Sequence, residues 1–215
     1  MRSIVLLGSL IFALSFCGLQ DRLKGLSGGS NTPSSNTASS GGGPTAGDKG
    51  SAKAEKASPT SAQQAIIDGG TEVKWDDQGV SWRLPTGWSK MDVKKESFNY
   101  KSTDNSFLLV NISVMPDTFP LEQSLSAYHE QALQQLKNGK YIDVKLVEID
   151  GVPGVEFVEA MPEDKTDSRR HQWIGFRTYL GQKQQINVMT ATRGTNFEKH
   201  MDDFAAIIYS AKFTK

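Results

Sequence analysis

Residues 107–115 read Phe-Leu-Leu-Val-Asn-Ile-Ser-Val-Met, and they form the clearest strand pattern in the chain. Apolar side chains recur at every second position from Leu108, which is the period of a β-strand that buries one face. Residues 103–106 supply turn chemistry just before this run, and residues 98–101 precede the turn. The pattern predicts an antiparallel hairpin whose buried face carries Leu108, Val110, Ile112 and Val114.

Strand patterns continue on both sides of this hairpin. Residues 80–84 alternate apolar and polar side chains before a turn signal. Residues 141–149 and 155–160 flank Asp150-Gly151, a pair favoured in tight hairpins. Residues 152–154 follow that pair, so the sequence predicts a connection longer than two residues.

A last hairpin is predicted close to the C-terminus. Residues 171–180 and 185–193 are both rich in strand-forming side chains, and Gly181 lies between them. Together with the other segments, this hairpin predicts an antiparallel sheet of about six strands.

Two segments have the period of an amphipathic helix. The first spans residues 121–136 and ends before Gly139, with a stripe formed by Leu121, Leu125, Tyr128, Ala132 and Leu136. The second begins near Thr195, which forms a capping-box pattern with Glu198, and its stripe is Phe197, Met201, Phe204 and Ile208. Helices packed on an antiparallel sheet define an α+β domain.

The order of these elements resembles the PsbP/Mog superfamily. The resemblance covers most of residues 75–215, and it rests on short motifs: Leu84-Pro85-Thr86-Gly87-Trp88, residues 111–116, the Asp150-Gly151 hairpin, the Arg170-His171 strand, and the segments 185–192 and 197–213. It implies an α/β/α sandwich around an antiparallel sheet. It also implies a non-catalytic binding or assembly module, since members of the superfamily mostly act in that way.

The N-terminus has the features of an exported protein. An apolar run over residues 4–14 follows Met1-Arg2 and has the length of a signal-peptide core, so residues 1–16 are predicted to be a signal peptide. The run leads to Cys17, and residues 14–17 resemble the lipobox of bacterial lipoproteins, except that Phe16 replaces the small residue before the cysteine. Cys17 is therefore the predicted lipid-attachment site. Cleavage before Phe16 by the ordinary signal peptidase, giving a soluble secreted protein, remains the alternative.

Residues 17–68 differ sharply in composition from the rest of the chain. Glycine, serine, threonine, alanine and proline dominate, and such a segment cannot bury enough apolar surface to offset its ordering entropy. We predict a disordered tether over 17–68 and a single folded domain over 69–215. A folded domain on a long tether that is anchored by lipid resembles the envelope lipoproteins of the superfamily. Leu19 is not the aspartate that marks inner-membrane retention, so the outer membrane is the preferred location.

Charge and motif content exclude several classes of function. Residues 71–215 contain 18 basic and 20 acidic side chains, a net charge of −2, which does not suggest a nucleic-acid partner. The histidines His129, His171 and His200 lack the spacing of a helical metal pair, so we expect no metal and no cofactor. Neither a nucleophile with its base nor a converging carboxylate pair can be assembled, and we expect no catalytic activity.

Strand alternation singles out one sheet face as a candidate binding surface. That face is predicted to carry Arg83, Asn111, Ser113, Trp173, Arg177, Tyr179 and Asn187. The run Arg169-Arg170-His171 is a second candidate, because arginine donates hydrogen bonds in a fixed fork. The alternatives are that other segments cover the face and that the run is an exposed charge cluster.

The leading hypothesis is a lipid-anchored binding or assembly module of the bacterial cell envelope. Its expected contacts are the membrane, through lipidated Cys17, and a protein partner, with no nucleic acid. The rival hypothesis is a secreted hydrolase or metal-dependent enzyme whose site forms only in three dimensions. An enzyme should show a deep pocket with converging titratable groups, whereas a binding module should show an exposed docking surface.

Overall fold

The computed structural model describes residues 53–214. The predicted signal peptide, Cys17 and most of the predicted tether lie outside the described residues. Within the described range no helix is both long enough and apolar enough to cross a membrane.

Strands predominate, with helices at the beginning, middle and end. In chain order the elements are β1 (Glu55–Lys56), α1 (Ser61–Gly69), β2 (Thr71–Trp75), β3 (Val80–Leu84), β4 (Trp88–Val93), β5 (Ser97–Ser102), β6 (Phe107–Val114), α2 (Leu121–Lys137), β7 (Tyr141–Ile149), β8 (Val152–Glu159), β9 (Ser168–Tyr179), β10 (Gln182–Arg193), α3 (Gly194–Phe197), α4 (Met201–Tyr209) and β11 (Lys212–Phe213). Short 3₁₀ turns occupy Asp76–Gln78 and Glu198–His200.

The strands form two sheets. The main sheet has eight strands in the order β1-β7-β8-β9-β10-β6-β5-β4, and all neighbours are antiparallel except β1 and β7. A small sheet has the order β11-β3-β2. The α+β class is confirmed, but the prediction of about six strands was wrong for the main sheet. The missed strands are short or lie at sheet edges, where side chains are exposed and the alternation that marks a buried face is weak.

Each face of the main sheet has its own apolar core. On one face α2 packs on β7, β8 and β9, and buried Ala132 meets Val155, Phe157, Ile174 and Phe176. On the other face lie the small sheet and α4. There Phe98 of β5 packs against Trp75 and Trp82 of the small sheet, with ring centroids 5.6 and 4.9 Å apart. Large aromatic side chains of this kind dominate the energetics of a core.

The closing helical segment completes the second core. Phe204 of α4 is fully buried and meets Phe197 edge to face, with centroids 5.5 Å apart. The predicted capping box at Thr195 is absent: Arg193 occupies the N-cap position, and no side chain caps the helix there. The carboxylate of Glu198 is instead paired with Arg169.

The tether prediction was wrong for its last part, because ordered structure begins before Asp68. Thr60 caps α1 and forms a capping box with Gln63, whose amide also donates to Asp202 of α4 at 3.0 Å. Just before it, the Ala57 amide donates to the Glu148 carbonyl at 2.9 Å. No residue of α1 is fully buried. With only nine residues, α1 is also too short for its apolar side chains to show a clear helical period in the sequence.

The turn between β7 and β8 is tighter than predicted. Asp150 and Gly151 have φ values of 49° and 86°, and β8 begins at the next residue, Val152. Positive φ at both central residues is the requirement of a type I′ hairpin turn. Pro153 is accommodated next to the turn, ahead of Gly154, where pairing with β9 begins.

Candidate functional site

The predicted binding face does not form as one surface, because Trp173 and Arg177 point into the protein and the other five residues lie elsewhere or are only partly buried. The small sheet and α4 cover one face of β9, and that face carries the buried residues Arg169, His171, Trp173 and Arg177. Alternation correctly places these four side chains on one face of β9. It cannot show that segments distant in sequence cover that face.

The remaining members of the predicted face are scattered. Asn187 is in register with Asn111 and with Ile174, so these side chains lie on the face of the main sheet opposite Trp173. Ser113 shares the face of Asn111 by the same alternation. Arg83 belongs to the small sheet. The seven residues of the predicted surface therefore lie on two faces and in two sheets.

Trp173 has a structural role in the second core. Its indole nitrogen donates to the Val147 carbonyl at 3.2 Å, and its ring lies against the backbone of Gly154 and Gly175. A Cβ atom at either glycine would fall on the ring. These two glycines allow the indole to lie flat across β8 and β9.

Arg177 is held inside the domain by hydrogen bonds. Its guanidinium donates to the Gln78 carbonyl at 2.5 Å and to the Gln184 side chain at 2.9 Å, and it lies 4.4 Å above the Tyr179 ring. Burial lowers the pKa of Arg177 to about 10. Tyr179 is only half-buried, so it remains available at the surface.

The Arg169-Arg170-His171 run is also used internally. Arg169 lies 4.2 Å from the Phe197 ring centroid, and its Nε donates to the Glu159 carbonyl at 2.7 Å. The half-buried Arg170 forms an ion pair with the Glu159 carboxylate. The run is therefore not an exposed charge cluster, and its side chains are committed to partners within the fold.

A buried polar cluster, which sequence reasoning missed, joins Glu156 of β8, His171 of β9 and Tyr209 of α4. The Tyr209 hydroxyl donates to the Glu156 carboxylate, and His171 Nε2 lies 2.6 Å from Glu156 Oε1. Burial and the adjacent Glu156 carboxylate raise the pKa of Tyr209. The sequence offered no signal, because Tyr209 lies 53 positions after Glu156.

His200 forms a second histidine–carboxylate cluster. Its Nε2 lies 2.7 Å from Asp104 Oδ2 and its Nδ1 lies 3.3 Å from Asp203 Oδ2. A hydrogen bond from Ser102, with a further contribution from His200, lowers the pKa of Asp104. Across residues 53–214 no group of three His, Cys, Asp or Glu side chains is placed to hold a metal ion.

The concave surface of the domain runs across the exposed face of the small sheet. Two cavities of about 730 and about 480 Å³ adjoin there and share Glu72, Ser81 and Lys212 in their walls. We call them together the outer groove. Its larger part lies between α1, β1 and the β7–β8 turn, and its smaller part ends at Tyr179 and Thr214.

The floor of the outer groove has a regular arrangement of charges. Lys74, Ser81 and Lys212 are aligned in register across β2, β3 and β11. In the neighbouring row, Arg83 is opposite Glu72. Inward-pointing neighbours of these residues, such as Trp82, are buried, so the polar side chains point outward into the groove.

Ion pairs at this floor are exposed. Lys74 lies 3.4 Å from Glu72, and Lys212 lies 3.4 Å from Asp150. The two lysine side chains are 60% and 68% exposed, and exposed pairs of this kind contribute about 0–1 kcal/mol. Arg83 donates one hydrogen bond to the Gly70 carbonyl at 3.0 Å. An incoming charged group can therefore compete for these cations.

Comparison with known proteins gives matches in structure only. Neither a protein-family model nor a curated protein matches the sequence. LpqN, involved in cell envelope biogenesis of Mycobacterium tuberculosis, is 13% identical with a TM-score of 0.49, over 73% of this chain and 99% of LpqN. Cyanobacterial PsbP (CyanoP) from Synechocystis is 16% identical with a TM-score of 0.43, over 67% and 92% of the two chains.

Two further solved structures match with similar sequence identities and TM-scores. The Ran-binding protein Mog1p of Saccharomyces cerevisiae is 12% identical with a TM-score of 0.41, over 67% of this chain and 95% of Mog1p. A Bacteroides thetaiotaomicron protein is 16% identical with a TM-score of 0.43, over 68% of this chain, which spans about half (49%) of that protein's length. These matches are a likeness of fold alone, at low sequence identity.

Proposed function

We propose that this protein is a lipid-anchored, non-catalytic binding module of the bacterial cell envelope, and that it holds a protein partner in the outer groove. The observation that supports this function is the groove itself. It is concave, and its lining contains both cations and carboxylates. Concave surfaces with convergent polar groups are the usual positions of binding sites.

The side chains of the outer groove suit binding better than catalysis. Its described lining contains neither histidine nor cysteine. The charged groups nearest Ser81, Lys74 and Lys212, each lie in an exposed ion pair with a carboxylate. The Glu156–His171 pair lies behind Tyr209, and both members are at least 95% buried at their side chains.

The anchor in this proposal is Cys17, followed by a Gly/Ser-rich tether. A flexible coil of about 35 residues has an r.m.s. span of roughly 30–35 Å, from about 5–6 Å times the square root of its length. Such a tether lets the domain reach a partner beyond the membrane surface. With a domain charge of −2, attachment depends on acyl chains and not on attraction to anionic lipid.

Fractionation and fatty-acid labelling test the anchor. Wild-type protein should sit in the membrane fraction and take up labelled fatty acid, whereas Cys17→Ser should lose both properties. Phe16→Gly restores the small residue before the cysteine, so it should increase the labelled fraction. Soluble wild-type protein with Phe16 at its N-terminus would show that the anchor is wrong and that the domain is secreted.

Site-specific photocrosslinking in cells tests the outer groove. A crosslinker at Gln64 or at Ser81 should capture the same protein, and Arg83→Glu should reduce the capture from both positions. The matched control is Lys101, which is exposed on the main sheet away from the groove. Equal capture from Lys101, or capture that Arg83→Glu leaves unchanged, would contradict the groove as the binding surface.

A further inference from the structure

The row Lys74, Ser81 and Lys212 crosses the floor of the outer groove. Since neighbouring strands are about 4.8 Å apart, the two lysine Cα atoms are separated by roughly 10 Å with Ser81 between them. Both long side chains can therefore bend over Ser81 from opposite sides. Arg83 lies two positions along β3 on the same face, and its guanidinium donates to the Gly70 carbonyl.

Donor groups around Ser81 are incompletely used. A lysine ammonium has three donors and an arginine has five. Lys74 and Lys212 each contact one exposed carboxylate, and Arg83 donates to one carbonyl. Within the described part of the chain the Ser81 hydroxyl has no hydrogen-bond partner. The groove floor thus offers several free donors at one point.

Two acidic side chains of the groove, Glu72 and Asp150, already lie 3.4 Å from the ammonium groups of Lys74 and Lys212 respectively. Asp150 accepts the Phe213 amide at 2.8 Å, so one of its oxygens is already bonded within the fold. Asp76 and Glu148 lie on the walls of the smaller and the larger cavity respectively. A single negative group at Ser81 would therefore compete with Glu72 and Asp150 for the two lysines, in pairs that are exposed and weak.

We infer that the outer groove takes an extended segment of its protein partner that carries one acidic residue, with that carboxylate bound over Ser81 by Lys74 and Lys212. This inference rests on the proposed function and names the chemistry of the partner. The carboxylate would accept charge-assisted hydrogen bonds, which are about twice as strong as neutral ones. The partner's carboxylate would replace the exposed ion pairs that Lys74 and Lys212 make with Glu72 and Asp150.

A polypeptide fits this surface better than a small phosphate. The two adjoining cavities extend well beyond the lysine row, so a free phosphate would leave most of the groove empty. The surrounding carboxylates also repel a dianion more strongly than a single carboxylate. An extended segment can place an acidic residue at Ser81 and present basic or polar residues to the walls.

The test uses the mature chain from residue 17, made soluble by Cys17→Ser, and follows backbone amide signals by NMR. The probes are a blocked octapeptide of glycine and serine with one central Glu, the same peptide with Gln in place of Glu, and inorganic phosphate. We expect saturable shifts at Ser81 and Lys212 with the Glu peptide, and at least tenfold weaker binding of the Gln peptide. The double variant Lys74→Gln/Lys212→Gln should weaken Glu-peptide binding by tenfold or more.

The matched control is Lys101→Gln/Lys137→Gln, which removes the same charge from exposed positions outside the groove. Glu-peptide binding should be unchanged in that variant. Equal binding of the Gln peptide, or equal loss in both double variants, would overturn the inference. Saturation by phosphate without binding of the Glu peptide would overturn it in favour of a small-anion site. Groove crosslinking that persists in cells without Glu-peptide binding would overturn the inference while supporting the proposed function.

Discussion

The hydroxyl of Tyr209 in α4 donates to both carboxylate oxygens of Glu156 in β8, at 2.8 and 2.9 Å. Glu156 is 3% exposed and also contacts His171 of β9. A buried carboxylate is stable only when such partners compensate for its lost hydration. The Tyr209–Glu156 hydrogen bonds therefore attach the last helix to the centre of the main sheet.

Removing this hydroxyl should destabilise the domain. We expect Tyr209→Phe to lower the free energy of unfolding by about 1–3 kcal/mol, because it leaves a buried charged acceptor without its donor. Urea denaturation measures the change. Tyr100→Phe is the control, since the Tyr100 hydroxyl forms no hydrogen bond within residues 53–214. Equal urea midpoints for the two variants would show that the Tyr209–Glu156 contact contributes nothing to stability.

Stability should also fall at high pH. Burial raises the pKa of Tyr100, Tyr141 and Tyr209 in the folded protein. A raised folded-state pKa gives stability that is complete below the unfolded value, near pH 10, and is lost as the pH rises beyond it. We expect the urea midpoint to decline above about pH 10, and to decline less steeply in Tyr209→Phe. A midpoint that stays constant to pH 12 would contradict this expectation.

The glycines beneath Trp173 should tolerate no side chain. In Gly175→Ala the new methyl group would fall on the indole ring, and overpacking of this kind costs about 1–3 kcal/mol. Gly69→Ala is the matched substitution in open space at the end of α1, where alanine should be neutral or stabilising by up to about 1 kcal/mol. Thermal unfolding of both variants checks the contrast. A Gly175→Ala protein as stable as Gly69→Ala would mean that the Trp173 ring moves freely.

Shortening the chain should separate the tether from the folded domain. A chain of residues 53–215 should unfold at the same temperature as the mature protein, whereas a chain of residues 71–215 should melt several degrees lower. The longer deletion removes the Gln63–Asp202 hydrogen bond and the Gly70 carbonyl that accepts from Arg83. Differential scanning calorimetry compares the three chains. Equal melting of the 71–215 chain would place β1 and α1 outside the stable fold.

The extent to which this fold could be predicted from sequence depends on burial. The β6 pattern and the α2 stripe point to apolar partners: Leu108, Val110 and Ile112 are buried as predicted, and α2 spans Leu121–Lys137. The prediction was wrong for Val114, which lies at the end of β6 and is 57% exposed. By contrast, α1 has nine residues and none is fully buried, so its apolar side chains cover too few turns to mark a helix in the sequence. Its Thr60–Gln63 capping box is genuine. At Thr195, however, the same type of pattern is unused, because Glu198 pairs with Arg169 instead.

The candidate site was less predictable than the fold. Alternation showed that Trp173 and Arg177 share a face of β9, but whether that face is covered depends on α4 and the small sheet, which come from both ends of the domain. The outer groove is likewise assembled from distant segments. Lys74 and Lys212 are 138 positions apart in the chain, and they meet only because β2 and β11 both pair with β3. No local spacing rule could have joined them.

The parallel pairing of β1 with β7 has a mechanical consequence. The chain enters the domain through Glu55 and Lys56, and this pairing covers only those two residues. Lys56 and the neighbouring α1 also form a wall of the outer groove. A pull on the chain ahead of Glu55 would act first on that wall and only later on the aromatic core. Release of this two-residue pairing would therefore open the groove and weaken binding there before the domain unfolded.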